Sequence, residues 1–370
     1  MVIKGERLSR PTYSVIQTIT EGSTALCYKC WHEVFERDCV QKTVSLLGVQ
    51  DAVAHKEPQL LKSFNHPHIV EVWEAQWDPE YDDCVTFVMP YYEGGSLHGA
   101  LTGGCSFSLS EAIALSCNIL DALHYLHVER GIVHRDVKPD NIFLSAGESA
   151  AYLGDLGSAA PIENGGADFS GGTPLYRAPE SATGRYTPQS DLYSLGLVLL
   201  ELVAGRFRYE EIDQSDVSRR LREGKRALAG RHLKPPSHAP DAMARLINKL
   251  LDPKPERRPK SALDTQRALE NIRHLNWRQT SYDDPLTWTG EIAPRRRDLP
   301  PRDIRVHAEK ILRGSDAGKL RLTAQWRDRN ATRWRNIKLL EKRVSPGDQK
   351  EWHDFFKSVS TSMDHVRARR

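Results

Sequence analysis

The run His134-Arg135-Asp136-Val137-Lys138-Pro139-Asp140-Asn141, followed fourteen residues after Asn141 by Asp155-Leu156-Gly157, limits the fold more than any other part of the chain. It lies around two short apolar pieces, Ile132–Val133 and Ile142–Leu144, on polar turns of the kind that carry chemical groups. Taken one at a time, these residues are ordinary turn chemistry. Asp136 caps a turn, Asn141 takes a left-handed position, and Asp155-Leu156-Gly157 is a plain turn. Their joint order and spacing, with further strings downstream, is what ordinary turns do not account for.

The surrounding pattern divides the chain. From Tyr13 to about Met89, short β-rich runs (Tyr13–Ile19, Ala25–Trp31, Cys39–Val44, Val85–Met89) enclose one helix-like stretch, Pro58–Phe64. After Gly94-Gly95 the pattern turns helical, most clearly over Leu109–His127 and Asp191–Val203. The expectation is an α+β chain: a β-rich lobe over residues 1–89, a hinge and helical lobe over 90–273, and a separate region over 274–370.

At the strings already quoted, the sequence resembles the protein kinase superfamily, in its Ser/Thr branch, over roughly residues 13–273. The first string matches that family's catalytic loop, and Asp155-Leu156-Gly157 stands where most members have Asp-Phe-Gly. The resemblance implies a two-lobed protein kinase fold, ATP and Mg²⁺ as cofactors, and protein substrates. Asp136 is then the proton acceptor and Asn141 and Asp155 the Mg²⁺ ligands. Lys138 neutralises charge on the phosphoryl group in flight, a residue typical of Ser/Thr members. Gly172-Thr173-Pro174-Leu175-Tyr176-Arg177-Ala178-Pro179-Glu180 resembles the segment that ends the activation loop, with Thr173 bonded to the catalytic Asp and Lys. Asp191 stands at the start of the central helix as anchor of the catalytic loop, and Arg258 stands as the partner of Glu180. Of the hydroxyls in the loop, Ser170, flanked by glycines, is the expected autophosphorylation site. Asp140 and Glu201 stand where some relatives hold substrate arginines.

In the first lobe, Lys42 occupies the position that contacts the α- and β-phosphates, and Glu57 that of its helical ion-pair partner. Met89 is the gatekeeper, Pro90, Tyr91 and Tyr92 form the hinge, and Cys27, Val40 and Phe143 are apolar walls for the adenine. There are three departures from the family pattern. Only Gly22 remains of the three loop glycines, which lowers the expected ATP affinity. Pro58 directly follows Glu57 and pushes it away from helical geometry. Leu156 replaces the usual Phe, an apolar exchange. The rival reading is a pseudokinase acting as a nucleotide-binding scaffold; a small-molecule phosphotransferase is disfavoured by the string ending at Glu180.

No stretch approaches the ~20 apolar residues of a membrane span, so no membrane contact and a cytoplasmic location are expected. The six cysteines read as reduced thiols. Cys27-x-x-Cys30 does not read as a zinc site, because residues three apart on a strand point to opposite faces. Residues 274–370 hold 22 Lys and Arg against 13 Asp and Glu, a net charge of +9 that leaves −6 for the rest. Five of the eight tryptophans lie there too, which argues against disorder. The region is expected to be mainly helical, after a linker at Arg295–Pro301. One helix is expected near Ser345-Pro346-Gly347-Asp348, with Trp352, Phe356, Val359 and Met363 along one face. A small helical appendage is the favoured reading. An intramolecular or partner-docking module, held to the acidic lobes by charge, comes next, and nucleic-acid binding stands last.

Overall fold

The computed structural model describes residues 12–21, 25–45, 62–77, 84–168, 172–292 and 301–368. Gly22, Glu57, Pro58, Ser170 and most of the Arg295–Pro301 segment lie outside these described residues.

The first lobe is an antiparallel sheet of β1 (Tyr13–Glu21), β2 (Ala25–His32), β3 (Arg37–Ser45), β4 (Glu74–Trp77) and β5 (Cys84–Pro90), in the order β1-β2-β3-β5-β4. Register sets its chemistry, because residues directly opposite one another share a face. Cys27 pairs with Lys42 and Lys42 with Phe87, while Val40 pairs with Met89. Cys27, Val40, Lys42, Phe87 and Met89 therefore share one face of the sheet.

The second lobe begins with α1 (Leu97–Thr102) and α2 (Leu109–His124). Ser108 starts α2: its hydroxyl accepts from the Glu111 amide while the Glu111 carboxylate accepts from the Ser108 amide. The short strands β6 (Ile132–Val133), β7 (Ile142–Leu144), β8 (Ala151–Leu153), β9 (Ala160–Pro161), β10 (Ala167–Asp168) and β11 (Arg185–Tyr186) carry the polar loops. Helix α3 (Pro188–Ala204) has proline in its first position and is buried at every residue from Ser190 to Val203, so it is the pillar of the lobe. A Cβ on Gly196 would lie 2.8 Å from the Cβ of Leu250, so glycine lets α3 approach α5 (Asp241–Leu250) closely. The remaining helices are α4 (Gln214–Arg222) and α6 (Ala262–Glu270).

The last region corrects an expectation. Rather than being mainly helical, it is a five-stranded antiparallel meander, β12 (Arg278–Ser281), β13 (Leu286–Ile292), β14 (Arg302–Lys310), β15 (Leu320–Asp328) and β16 (Arg335–Val344), closed by one helix, α7 (Gln349–Ala368). The cause is a period of two. Ile304, Val306 and Ala308 on β14, and Leu322 and Ala324 on β15, are buried, while the polar residues between them face outward. Helix α7 has the expected inner face: Trp352, Phe356, Val359 and Met363 are buried. The Asp348 carboxylate caps it by accepting from the Glu351 amide at 3.0 Å.

This meander is joined to the helical lobe by apolar packing. Trp277, Trp288, Trp352, Phe355 and Phe356 cluster edge to face, with Trp288 and Phe356 at 5.3 Å and Trp277 and Phe356 at 5.4 Å. They belong to the same buried core as α3 and α5. The polar contacts seal the rim. The Trp277 carbonyl accepts from the Leu109 amide, Arg278 pairs with Glu111, and His353 and Lys357 both reach Asp241.

Two outcomes follow from this joint. Truncating Trp288→Ala should lower unfolding stability by ~3–5 kcal/mol. Trp288→Phe should cost much less, since the indole N–H is buried without a hydrogen-bond partner; equal losses in urea unfolding would contradict this. His238, against Trp288 and Phe356, is buried, and burial pushes its imidazole down from 6.5 to about 4. In the unfolded chain it protonates near its ordinary value, so the stability of the neutral form is present above pH 6.5 and is lost as pH falls toward 4, by about 3 kcal/mol. Melting temperature should fall across that window in the natural chain and fall less in His238→Phe.

Candidate active site

The site is assembled around a carboxylate with no access to water. Asp191, in the first turn of α3, is fully buried and accepts from the His134 amide at 2.8 Å and the Arg135 amide at 2.9 Å. His127 Nε2 lies 2.8 Å from the same carboxylate. Three donors thus neutralise the cost of burying the charge and hold the loop backbone in place. Arg135 has a φ of +70°, the turn that sends the next residue toward the cleft. The His134 ring holds a second contact: Nδ1 accepts from the Asp136 amide at 3.2 Å and Nε2 faces the Gly154 carbonyl at 3.0 Å. This links the loop to the residue just before Asp155.

Asp136 projects from this loop with its side chain only 11% exposed. Lys138 Nζ lies 2.9 Å from its Oδ2, and the Thr173 amide donates to Oδ1 at 2.8 Å. Asn141 Nδ2 donates to the Asp136 Oδ2 at 3.0 Å and to its carbonyl at 2.8 Å. Lys138 Nζ also donates to the Thr173 hydroxyl at 2.7 Å. Burial by itself raises the carboxyl; the Lys138 ammonium and the Thr173 donors outweigh it and hold the group below the usual carboxylate range. All four expected catalytic residues, Asp136, Lys138, Asn141 and Thr173, therefore meet.

Asp155 adopts a left-handed conformation, φ 57° and ψ 73°, and its Oδ1 lies 3.9 Å from Lys42 Nζ. That contact joins the two lobes across the cleft. Leu156 is fully buried beneath it. Met89 and Val40 line the cleft from the sheet, and Tyr92 and Phe143 stack at 5.7 Å on the opposite side. Cys27, half-buried on the Lys42 face, belongs to the same apolar wall. The donor set suits Mg²⁺: Asn141 spends its NH₂ on Asp136 and keeps a carbonyl oxygen, and Asp155 is a partly exposed carboxylate, both hard oxygen ligands. Among the described residues no cluster of three or more His, Cys, Asp and Glu side chains is arranged for a metal, and Cys30 and Cys39 are buried on the other face of the sheet.

Farther along, Arg258 grips Glu180 through two parallel bonds of 2.7 Å, and the Ser190 hydroxyl donates to the same carboxylate at 2.6 Å. Glu201 is enclosed rather than open: the Tyr176 hydroxyl at 2.5 Å, the Tyr209 hydroxyl at 2.9 Å and the Phe207 amide at 2.9 Å all donate to it. Asp140 by contrast is half exposed beside His98. Arg177, within the string that ends at Glu180, donates from Nε to the Gly172 carbonyl at 2.9 Å, and two residues that stand in no recognisable string also contribute, His127 and Tyr209. Only the folded chain brings them to the site, and no spacing in the sequence signals them.

The two-lobed fold and this cleft are those of a protein kinase domain. The protein kinase domain profile matches residues 13–272, and the chain belongs to that family. It is 33% identical over 235 residues to the serine/threonine-protein kinase Nek4 of Mus musculus, which is 60% of this chain and 28% of that protein. It is 32% identical over 257 residues to the serine/threonine-protein kinase Nek3 of Oryza sativa subsp. japonica, 68% of this chain and 42% of that protein. To the MAP kinase kinase kinase SSK2 of Saccharomyces cerevisiae it is 33% identical over 196 residues, 43% and 12% respectively. The chain thus spans less than half the length of these relatives.

Glu180→Gln leaves the buried Arg258 guanidinium without its charge partner. Unfolding stability should drop by ~3–5 kcal/mol. A drop below 1 kcal/mol in chemical denaturation would show that the pair is not what fixes the segment 172–180.

Proposed function

We propose that the protein is an ATP- and Mg²⁺-dependent Ser/Thr protein kinase. The observation that carries this reading is the Asp136 carboxylate, held ionised by Lys138 and the Thr173 amide beside a cleft that joins Lys42 to Asp155. Bound Mg-ATP supplies the phosphoryl group and the charge neutralisation that transfer needs. Asp136 orients the hydroxyl of a protein substrate and takes its proton. Lys138, between Asp136 and Thr173, offers an ammonium to charge developing on the transferred group. Lys42 and Asp155 position phosphates and metal from opposite lobes, and Asn141 supplies the second metal oxygen. Met89, Pro90, Tyr92, Val40, Phe143 and Cys27 form the base pocket.

The enclosed Glu201 supports a narrower specificity statement. With its oxygens filled by two tyrosine hydroxyls and an amide, it ties α3 to Tyr176 and Tyr209, and Asp140 is the acidic group left facing substrate. Autophosphorylation in the activation segment and a cytoplasmic setting go with this reading; no helix among the described residues is long and apolar enough to cross a membrane.

Purified protein incubated with ATP, Mg²⁺ and a generic protein substrate should incorporate phosphate. Asp136→Asn should lower kcat by roughly 10²–10⁴-fold with nucleotide binding intact. Asp155→Ala should abolish turnover and also the Mg²⁺ dependence of nucleotide binding. Near-normal turnover in either variant would overturn the mechanism, and Mg²⁺-dependent nucleotide binding without turnover in the natural chain would favour the scaffold reading.

A further inference from the structure

Beside the catalytic carboxylate, one peptide group is turned so that its carbonyl serves no catalytic residue. The amide between Gly172 and Thr173 points its N–H at Asp136 Oδ1, 2.8 Å away. In a trans peptide the carbonyl lies opposite the N–H, so the Gly172 oxygen faces away from the place where a substrate hydroxyl meets Asp136. It faces the Arg177 guanidinium instead. Nε of Arg177 donates to it at 2.9 Å, and Nη2 donates to it as well. A carbonyl oxygen has two lone pairs, and both are taken.

The orientation is built into the chain. Gly172 has a φ of +75°, and a Cβ there would lie 2.7 Å from the Arg135 carbonyl oxygen, which leaves no room for a side chain. On the other side of the peptide group, the Thr173 hydroxyl is fixed by Lys138 Nζ at 2.7 Å. Tyr176 is anchored at both ends: its hydroxyl donates to Glu201, and its carbonyl accepts from the Ser194 hydroxyl at 2.9 Å. Arg177 follows directly in the chain, so its guanidinium is held where the Gly172 carbonyl arrives.

We propose that the enzyme selects Ser and Thr residues that are followed by proline, with Arg177 as the residue that sets this specificity through the Gly172 carbonyl; the inference rests on the Ser/Thr kinase reading. Thr173 is bonded to both Asp136 and Lys138, so the substrate backbone next to the acceptor residue lies against the Gly172–Thr173 peptide group. Two amides flank the acceptor. One is its own, which Ser and Thr always carry. The other belongs to the residue that follows, and it meets a carbonyl already filled by Arg177. An N–H drawn out of water without an acceptor costs the complex the full desolvation of that group, whereas proline has no N–H to lose.

The full chain is assayed with ATP, Mg²⁺ and three peptides that differ only in the residue after a single serine: proline, alanine or N-methylalanine. The kcat/KM for the proline peptide should exceed that for the alanine peptide by about tenfold or more. The N-methylalanine peptide, which lacks the N–H but has no ring, should come close to the proline peptide. Arg177→Met releases the Gly172 carbonyl, so the proline-to-alanine ratio should fall several-fold, whatever happens to absolute turnover. Should that variant fail to fold, the N-methylalanine comparison in the natural chain decides alone. Equal kcat/KM for the alanine and proline peptides would overturn the inference and leave the kinase reading standing. The same holds for a proline preference that N-methylalanine does not reproduce, or for an unchanged ratio in a folded, active Arg177→Met variant. No labelling of any protein or peptide by the natural chain would overturn both.

Discussion

The Asp191 carboxylate holds the molecule's chemistry in place. It is a charge without solvent, and it is tolerable only because the His134 and Arg135 amides and the His127 ring all point at it. The dependence runs both ways. The buried helix α3 fixes where the carboxylate sits, and the carboxylate fixes where the loop backbone must pass. Once that backbone is set, Asp136 has no freedom except toward Lys138, Thr173 and Asn141. The His134 ring then transmits the same constraint to Gly154 and so to Asp155.

The second constraint is the register of the first sheet. Shifting β3 by one residue against its neighbours would turn Lys42 and Val40 to the far face and bring Cys39 and Gln41 into the cleft. Buried Cys30, Cys39 and Val88 on that far face hold the register by packing. Lys42 reaches Asp155 only because both constraints are satisfied at once.

Much of this was legible in the sequence, and the reasons are physical. Helix α3 and helix α2 announce themselves by long apolar runs, and α7 by Trp352, Phe356, Val359 and Met363 on a helical spacing. The catalytic loop residues are close together in the chain, so their spacing alone carries their geometry. Glu180 and Arg258, 78 residues apart, were legible only through family resemblance. The meander departs from the helical expectation because Ile304, Val306 and Ala308 alternate with polar residues, a period of two that a strand satisfies and a helix does not. The enclosure of Glu201 by Tyr176 and Tyr209, and the reach of His127 to Asp191, were not legible, since nothing in local spacing tells which distant hydroxyl or imidazole a fold will deliver.

The joint between the meander and the helical lobe gives the protein one continuous core to which both α3, the helix that carries Asp191, and the C-terminal sheet contribute. The central claim nevertheless concerns chemistry at Asp136. The most direct test is phosphoamino-acid analysis of protein substrate labelled from γ-labelled ATP by the natural chain and by Asp136→Asn. The account predicts label on phosphoserine and phosphothreonine with the natural chain and its near-absence with the variant. Label on phosphotyrosine alone, or equal label with both proteins, would contradict it.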